Sequence, residues 1–171
     1  MIIADATVLI SLSKMGKLEL LREVYRQVAL GEVVKTEVLD QGKAISAPGV
    51  AQIERALQQG WIRVVRVTKK ERSLMRRILE SSRLDEGEAE SLSLARRRGW
   101  MLIVDDKEAR ALAETLGIAY LGTAGVFLEA YLKGQVSLEE LEEAVRDLSR
   151  IMWLSPAVVA EILRVAREAK T

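Results

Sequence analysis

Two short apolar runs constrain this chain more than any other feature, because each ends abruptly in aspartate. Met1-Ile2-Ile3-Ala4 is followed by Asp5, and Met101-Leu102-Ile103-Val104 by Asp105-Asp106. Runs of this length with no polar residue suit strands buried on both faces, as parallel strands are. Three more candidate strands, 28–30, 62–67 and 118–121, alternate with segments of helical periodicity. That alternation predicts an α/β fold with a central parallel sheet of four to five strands between two helical layers. In such sheets the ligand crevice lies outside the carboxyl ends of the strands. Asp5 and the Asp105-Asp106 pair would then share one edge despite their distance along the chain.

The helical segments are 6–13, 18–25, 32–41, 50–59 and 69–81, then one opening at Asp85–Glu88, then 107–116 and 123–133. Ser46–Gly49, which contains one of two prolines, precedes the helix at 50–59. Two helices close the chain, the first with a capping box of Ser137 and Glu140, the second with a cap and first-turn proline at Ser155-Pro156. We expect one domain over the 171 residues, with a core at 1–133 and a C-terminal helical extension at 134–171. No apolar run approaches the roughly 18 residues of a membrane span. The first strand begins without a basic leader, so neither a signal peptide nor a membrane anchor is expected, and the location expected is cytoplasmic.

The chain has no cysteine and no histidine. Disulfides, thiolate nucleophiles, cysteine metal sites, Ser-His-Asp triads and histidine-pair ribonucleases are all excluded. Carboxylates, hydroxyls and lysines remain, and carboxylates favour hard cations such as magnesium or manganese. With Glu88 at zero, Leu92 falls near about 40° and Ala95 near about 340°, so Glu88 lies on an apolar stripe. Glu90 falls near about 200°, beside Arg97, as a solvated acid would. Glu37 sits among Val33, Val34 and Val38 in the middle of its predicted helix, where no capping role exists. Singly, most of these acids could be caps: Asp5 of the first helix, Asp85 with Glu88, Asp105 with Glu108. Buried charges otherwise pair or coordinate metal, and no lysine or arginine is obviously placed to meet four acids. Carboxylates sharing a pocket repel and raise one another's pKa, a repulsion that a divalent cation relieves. Elsewhere, residues 61–83 hold eight lysines and arginines, Arg76 and Arg77 among them, and Arg96–Arg98 adds a second cluster. Such patches suit nucleic-acid backbone or a solvated helix face.

These motifs resemble the PIN domain of the VapC toxin type, in the branch with a Gly-Glu-Ala-Glu helix and a strand ending in Asp-Asp. MIIADATVLI resembles the family's first strand with its Asp-x-Ser/Thr, here Asp5 and Thr7. The helix with Glu37 resembles the second-acid helix, LDEGEAESLSLA the third-acid helix with Glu88, and IVDDKEARALA the fourth-acid segment with Asp106. Val104 departs from the threonine many members carry two residues before that acid. The resemblance spans roughly residues 1–133. It implies a PIN-like three-layer sandwich and a metal-dependent endoribonuclease acting on single-stranded RNA with Mg²⁺ or Mn²⁺. It also implies a toxin restrained by a small antitoxin protein, often as a homodimer. Asp5, Glu37, Glu88 and Asp106 become candidate catalytic acids. Asp5, Glu88 and Asp106 are candidate metal ligands, Glu37 a ligand or an orienter of the attacking water, and Asp105 an outer-shell residue. Thr7 would hydrogen-bond Asp5 or a metal-bound water, and Lys107, Arg110 and Thr123, with Arg76 and Arg77, are candidate RNA contacts. A haloacid-dehalogenase phosphatase would need a second acid after Asp5, and a receiver domain would need its acid pair after the first strand. A catalytically silent PIN-type module that binds RNA or protein remains the alternative.

Overall fold

Every residue of β1 (Ile2–Ala4) and β2 (Val28–Gly31) is buried, which is what their unbroken apolar composition requires. The computed structural model describes residues 1–41, 43 and 49–169, so Ser46–Pro48 lie outside the described residues. With β3 (Ile62–Val65), β4 (Met101–Ile103) and β5 (Tyr120–Leu121) these strands form one parallel sheet in the order β3-β2-β1-β4-β5. The strands at 62–67 and 118–121 are thus shorter than their apolar runs suggest. Both are edge strands, and β5 has only the three residues of β4 to pair with.

Alternation along each strand divides two cores. Ile2, Ala4, Val28 and Leu30 face α1 (Ala6–Lys14), α2 (Glu19–Tyr25), α4 (Val50–Gln58) and α8 (Thr123–Leu132). Ile3, Ala29, Leu102 and Val104 face α5 (Lys69–Ser81), α6 (Glu86–Arg98) and α7 (Lys107–Thr115). The closing helices α9 (Leu138–Ile151) and α10 (Pro156–Glu168) add Leu141, Leu148, Ile162 and Ala166 to the first core. Their caps form as the sequence indicates, Ser137 with Glu140 and Ser155 before Pro156. The chain runs from β1 out to β3, then returns to β4 on the other flank of β1. The order reverses between β1 and β4, and the carboxyl ends of those two strands carry Asp5 and Asp105-Asp106.

Two helices differ from their sequence patterns. The segment 32–41 is α-helical only at α3 (Glu32–Lys35) and widens into a π-helix at Thr36–Gln41, a form that recurs at functional sites. The helix α6 is not two-faced. It is enclosed by α3, α5, α7 and the sheet, and every residue from Ala89 to Ala95 is buried. Glu90, read from the wheel as solvated, is only 1% exposed. A wheel with one apolar stripe fails for a helix covered all round.

Buried Glu90 is satisfied by the start of α3. Its Oε1 accepts from Glu32 N at 3.1 Å, and its Oε2 from Val33 N at 2.9 Å and Val34 N at 3.4 Å. These are the N–H groups a helix start leaves without intrahelical partners, and they carry the positive end of its dipole. Gly31 permits the approach, since a Cβ there would stand 1.8 Å from Glu90 Oε2. A second tie joins α5 to α6. Arg98 donates to both oxygens of buried Glu71 at 2.7 and 3.1 Å and lies over the Trp100 ring. This pairing holds the Glu71 carboxyl down to about 2 and takes Arg98 out of the basic cluster of 96–98.

Glu90→Gln should therefore destabilise the fold by about 1–3 kcal/mol, since one amide oxygen replaces two acceptors and an NH₂ faces donors. Gly31→Ala should cost at least as much. Urea denaturation midpoints measure both, and a Glu90→Gln midpoint equal to wild type would contradict the role of this carboxylate.

Candidate active site

Three helix starts, one π-helical turn and the β1–β4 reversal bring the sequence's acids to one edge. Asp5 follows β1 as the N-cap of α1 and is 3% exposed. Asp106 follows β4 as the N-cap of α7, its Oδ1 accepting from Ala109 N at 2.8 Å. Glu88 lies in the first turn of α6, half-buried, in a reciprocal capping box: Asp85 N donates to its Oε2 at 3.0 Å and Glu88 N to Asp85 Oδ1 at 2.8 Å. Glu37 comes from the π-helical turn, half-buried, and its carboxylate rests against Gly87. A Cβ on Gly87 would meet those oxygens at 2.7 and 2.8 Å, so the glycine of Gly-Glu-Ala-Glu makes room for a carboxylate.

The charges interact. Burial, then the neighbouring Asp85 and Glu37, lift the Asp5 carboxyl to about 7 against the pull of the Ala6 and Thr7 amides. Burial, then Asp85, Glu90, Glu88 and Glu86, lift Glu37 to about 7. Glu88 also stands at about 7, raised by burial and by Asp85, Asp106 and Asp5, and drawn down by its bond from the Asp85 amide. Asp85, whose only sequence signal is as a cap, is thus a fifth member of the group.

The other predicted residues divide. Asp105 is turned away from the acids: its Oδ1 accepts from Thr123 N at 2.8 Å and its Oδ2 from Thr123 Oγ1 at 2.6 Å. Gly122 allows this, as a Cβ there would lie 3.0 Å from Asp105 Oδ1. Asp105 and Glu108 therefore form no capping box; Asp106 is the cap, and Glu108 accepts from Arg83 N at 2.9 Å. Thr123, a candidate RNA contact, is fully buried with both donors committed to Asp105 and cannot meet a phosphate. The Thr7 side chain is exposed and makes no hydrogen bond to Asp5; its amide is what faces that carboxylate. Lys107 is exposed and Arg110 half-exposed beside Asp105, whereas Arg76 and Arg77 are exposed on α5.

The donor set suits a hard divalent cation in kind, being all oxygen, crowded and partly dehydrated. Among the described residues, no three acids stand close enough to grip one ion in this arrangement. Glu88 and Asp106 are instead turned onto backbone amides.

The raised carboxyls set a pH dependence. An acid whose folded pKa lies above its unfolded value binds more protons when folded, so its stabilising contribution is present at low pH and lost as pH rises through the folded value. Without metal, the urea midpoint should fall between about pH 4 and pH 7 from Asp5, Glu37 and Glu88. Glu71, held down to about 2, acts in the opposite sense only below that window. Adding Mn²⁺ at pH 7 should restore stability, by about 2.7 kcal/mol at 100 times its dissociation constant. A flat midpoint from pH 4 to 7, with no response to Mn²⁺, would contradict the crowded centre.

Comparison with known proteins gives one family. A search of the curated proteins finds no match to the sequence. A family model, DUF3368, described as a PIN domain, matches residues 1–168, and the five-stranded parallel sheet with its acids at the carboxyl edge is consistent with it. PIN domains are nuclease-type domains that generally use divalent metals. The match covers nearly the whole chain, α9 and α10 included, and the chain belongs to the DUF3368 family of PIN domains.

Proposed function

We propose that this chain is a Mg²⁺- or Mn²⁺-dependent endoribonuclease that hydrolyses phosphodiesters of single-stranded RNA. The observation that carries this is the convergence of Asp5, Glu37, Glu88 and Asp106 from four separate elements, with no cation among the charges that most affect the three raised carboxyls. Asp5, Glu88 and Asp106 would hold the ion. Bound there, it would lower the pKa of a water and offset charge on the leaving oxygen. Glu37, half-buried against Gly87 and at about 7, would orient the attacking water and accept its proton near neutral pH. Asp105, committed to Thr123, would brace the β4–α7 turn and so aim Asp106. From the VapC-type resemblance we take the biological setting: a cytoplasmic homodimeric toxin restrained by a small antitoxin protein. The competing possibility is a catalytically silent module, which draws on the absence of three chelating acids among the described residues.

Cleavage assays separate the two. Glu88→Gln should lower metal-dependent cleavage of single-stranded RNA by at least about 100-fold, because the amide keeps the shape and removes the charge. Glu114→Gln, exposed at the far end of α7, should leave cleavage intact. Gly87→Ala should be neutral or up to about 1 kcal/mol stabilising in a helix, yet displace the Glu37 carboxylate and cut activity. No metal-dependent cleavage by wild type would leave the silent module, whereas no loss with Glu88→Gln, or equal loss with Glu114→Gln, would overturn the assigned site.

The exposed arginines of α5 should bind phosphate charge without reading bases. Replacing Arg76 and Arg77 by glutamate should weaken binding of all RNA sequences alike and flatten the dependence of log affinity on log salt. Unchanged affinity and slope would make this strip a solvated face only.

A further inference from the structure

One groove beside the acids is not used by the chemistry proposed above. It lies between α7 and the turn joining α9 to α10, has a volume of about 350 Å³, and reaches Asp105 at one end. Its floor is the small-residue start of α8, where Gly122 and Gly125 lie. One wall is apolar, with Val158 and Ile162 of α10 and the indole of Trp153. Trp153 is 82% exposed, the most open large hydrophobic side chain among the described residues. Lys107 and Arg110 also line the groove, and neither has an ion pair among the described residues.

We propose that this groove seats one nucleobase of single-stranded RNA, stacked on Trp153, with the adjoining phosphate held by Lys107 and Arg110. The proposal rests on the nuclease function proposed above and names a subsite for its substrate. A lining that combines an exposed indole and apolar side chains with two cations suits a ligand with a flat apolar part and an anionic part, which describes a nucleotide. Its volume lies at the small end of ligand pockets, about 300–1,000 Å³, and suits one planar ring system better than a peptide helix. Its position agrees as well. Lys107 follows Asp106 directly in the first turn of α7, so a phosphate held there would lie next to the acid edge and in line with its strand. An exposed indole suits this role because every base has a face to stack on, whatever its sequence.

The test is equilibrium binding of short fluorescent single-stranded RNAs to the full chain in EDTA, which prevents cleavage. It compares an ordinary strand with one that has abasic positions. Trp153→Ala should weaken the ordinary strand about tenfold, within the range for one stacked base, and Trp153→Phe should recover most of that loss. Wild type should bind the abasic strand as weakly as Trp153→Ala binds the ordinary one. Arg110→Ala should weaken both strands equally and reduce the salt slope by about one. Unchanged affinity in Trp153→Ala, or equal weakening of both strands, would overturn the stacking role. Loss of self-association in Trp153→Ala by sedimentation, with base-dependent binding unchanged, would instead make the patch a protein interface. Base-dependent binding without cleavage by wild type in Mn²⁺ would refute the nuclease function and leave the subsite standing. Cleavage that ignores Trp153 would do the reverse.

Discussion

The acidic edge depends on a carboxylate that is not one of its candidate ligands. Glu90 is buried in the middle of α6 and closes on three N–H groups at the start of α3. That contact sets the position of α3 on α6, and α3 leads directly into the π-helical turn that carries Glu37. The same two elements meet again at Gly87, where the Glu37 carboxylate rests. Each contact has a glycine at the point of closest approach, Gly31 under Glu90 and Gly87 under Glu37. The spacing Gly-Glu-Ala-Glu thus serves both packing and charge placement: its first glutamate faces the acids and its second fastens the partner element.

So many like charges can share one edge because of how parallel α/β chains turn. After each strand the chain enters a helix, so helix N-termini collect where the strands end, and α6, which follows α5, starts at the same edge. Asp5 stands at the start of α1, Asp85 and Glu88 at that of α6, Asp106 at α7, Asp105 at α8 and Glu90 at α3. Each N-terminus offers free N–H groups and about half a unit of positive charge. This field does locally what lysines and arginines would otherwise do. It does not fully offset burial and the mutual repulsion of the acids, and Asp5, Glu37 and Glu88 remain raised to about 7.

Much of this was legible in the sequence, and the failures have physical causes. The two apolar runs ending in aspartate located β1, β4 and the carboxyl edge, because runs of this length closed by polar residues are too short for a buried helix. Capping boxes at Asp85 and Ser137 were readable because they depend on neighbours within one turn. Glu90 was not. Its partners lie 56 to 58 residues away, and helical periodicity carries no information about a helix enclosed on all sides. The same is true of the Arg98–Glu71 pair, which removes one member from an apparent basic cluster. The π-helical turn at Glu37 breaks the assumption of about 100° per residue on which the wheel rests.

The Asp105-Asp106 doublet shows why neighbouring acids need not share a role. Beyond β4 the backbone at Asp106 holds φ −60° and ψ 133° before turning into α7. Successive side chains on extended backbone point to opposite sides. Asp106 therefore turns to the start of its own helix, with an oxygen on Ala109 N, while Asp105 turns to the start of α8 and is bound through both oxygens. The two charges are separated by direction and satisfied by different helix N-termini. One doublet thereby ties β4 to two helices, and of its two carboxylates it is that of Asp106 that stands among the main charges raising Glu88. The acid that joins the group at this strand end is the one the chain direction leaves facing it.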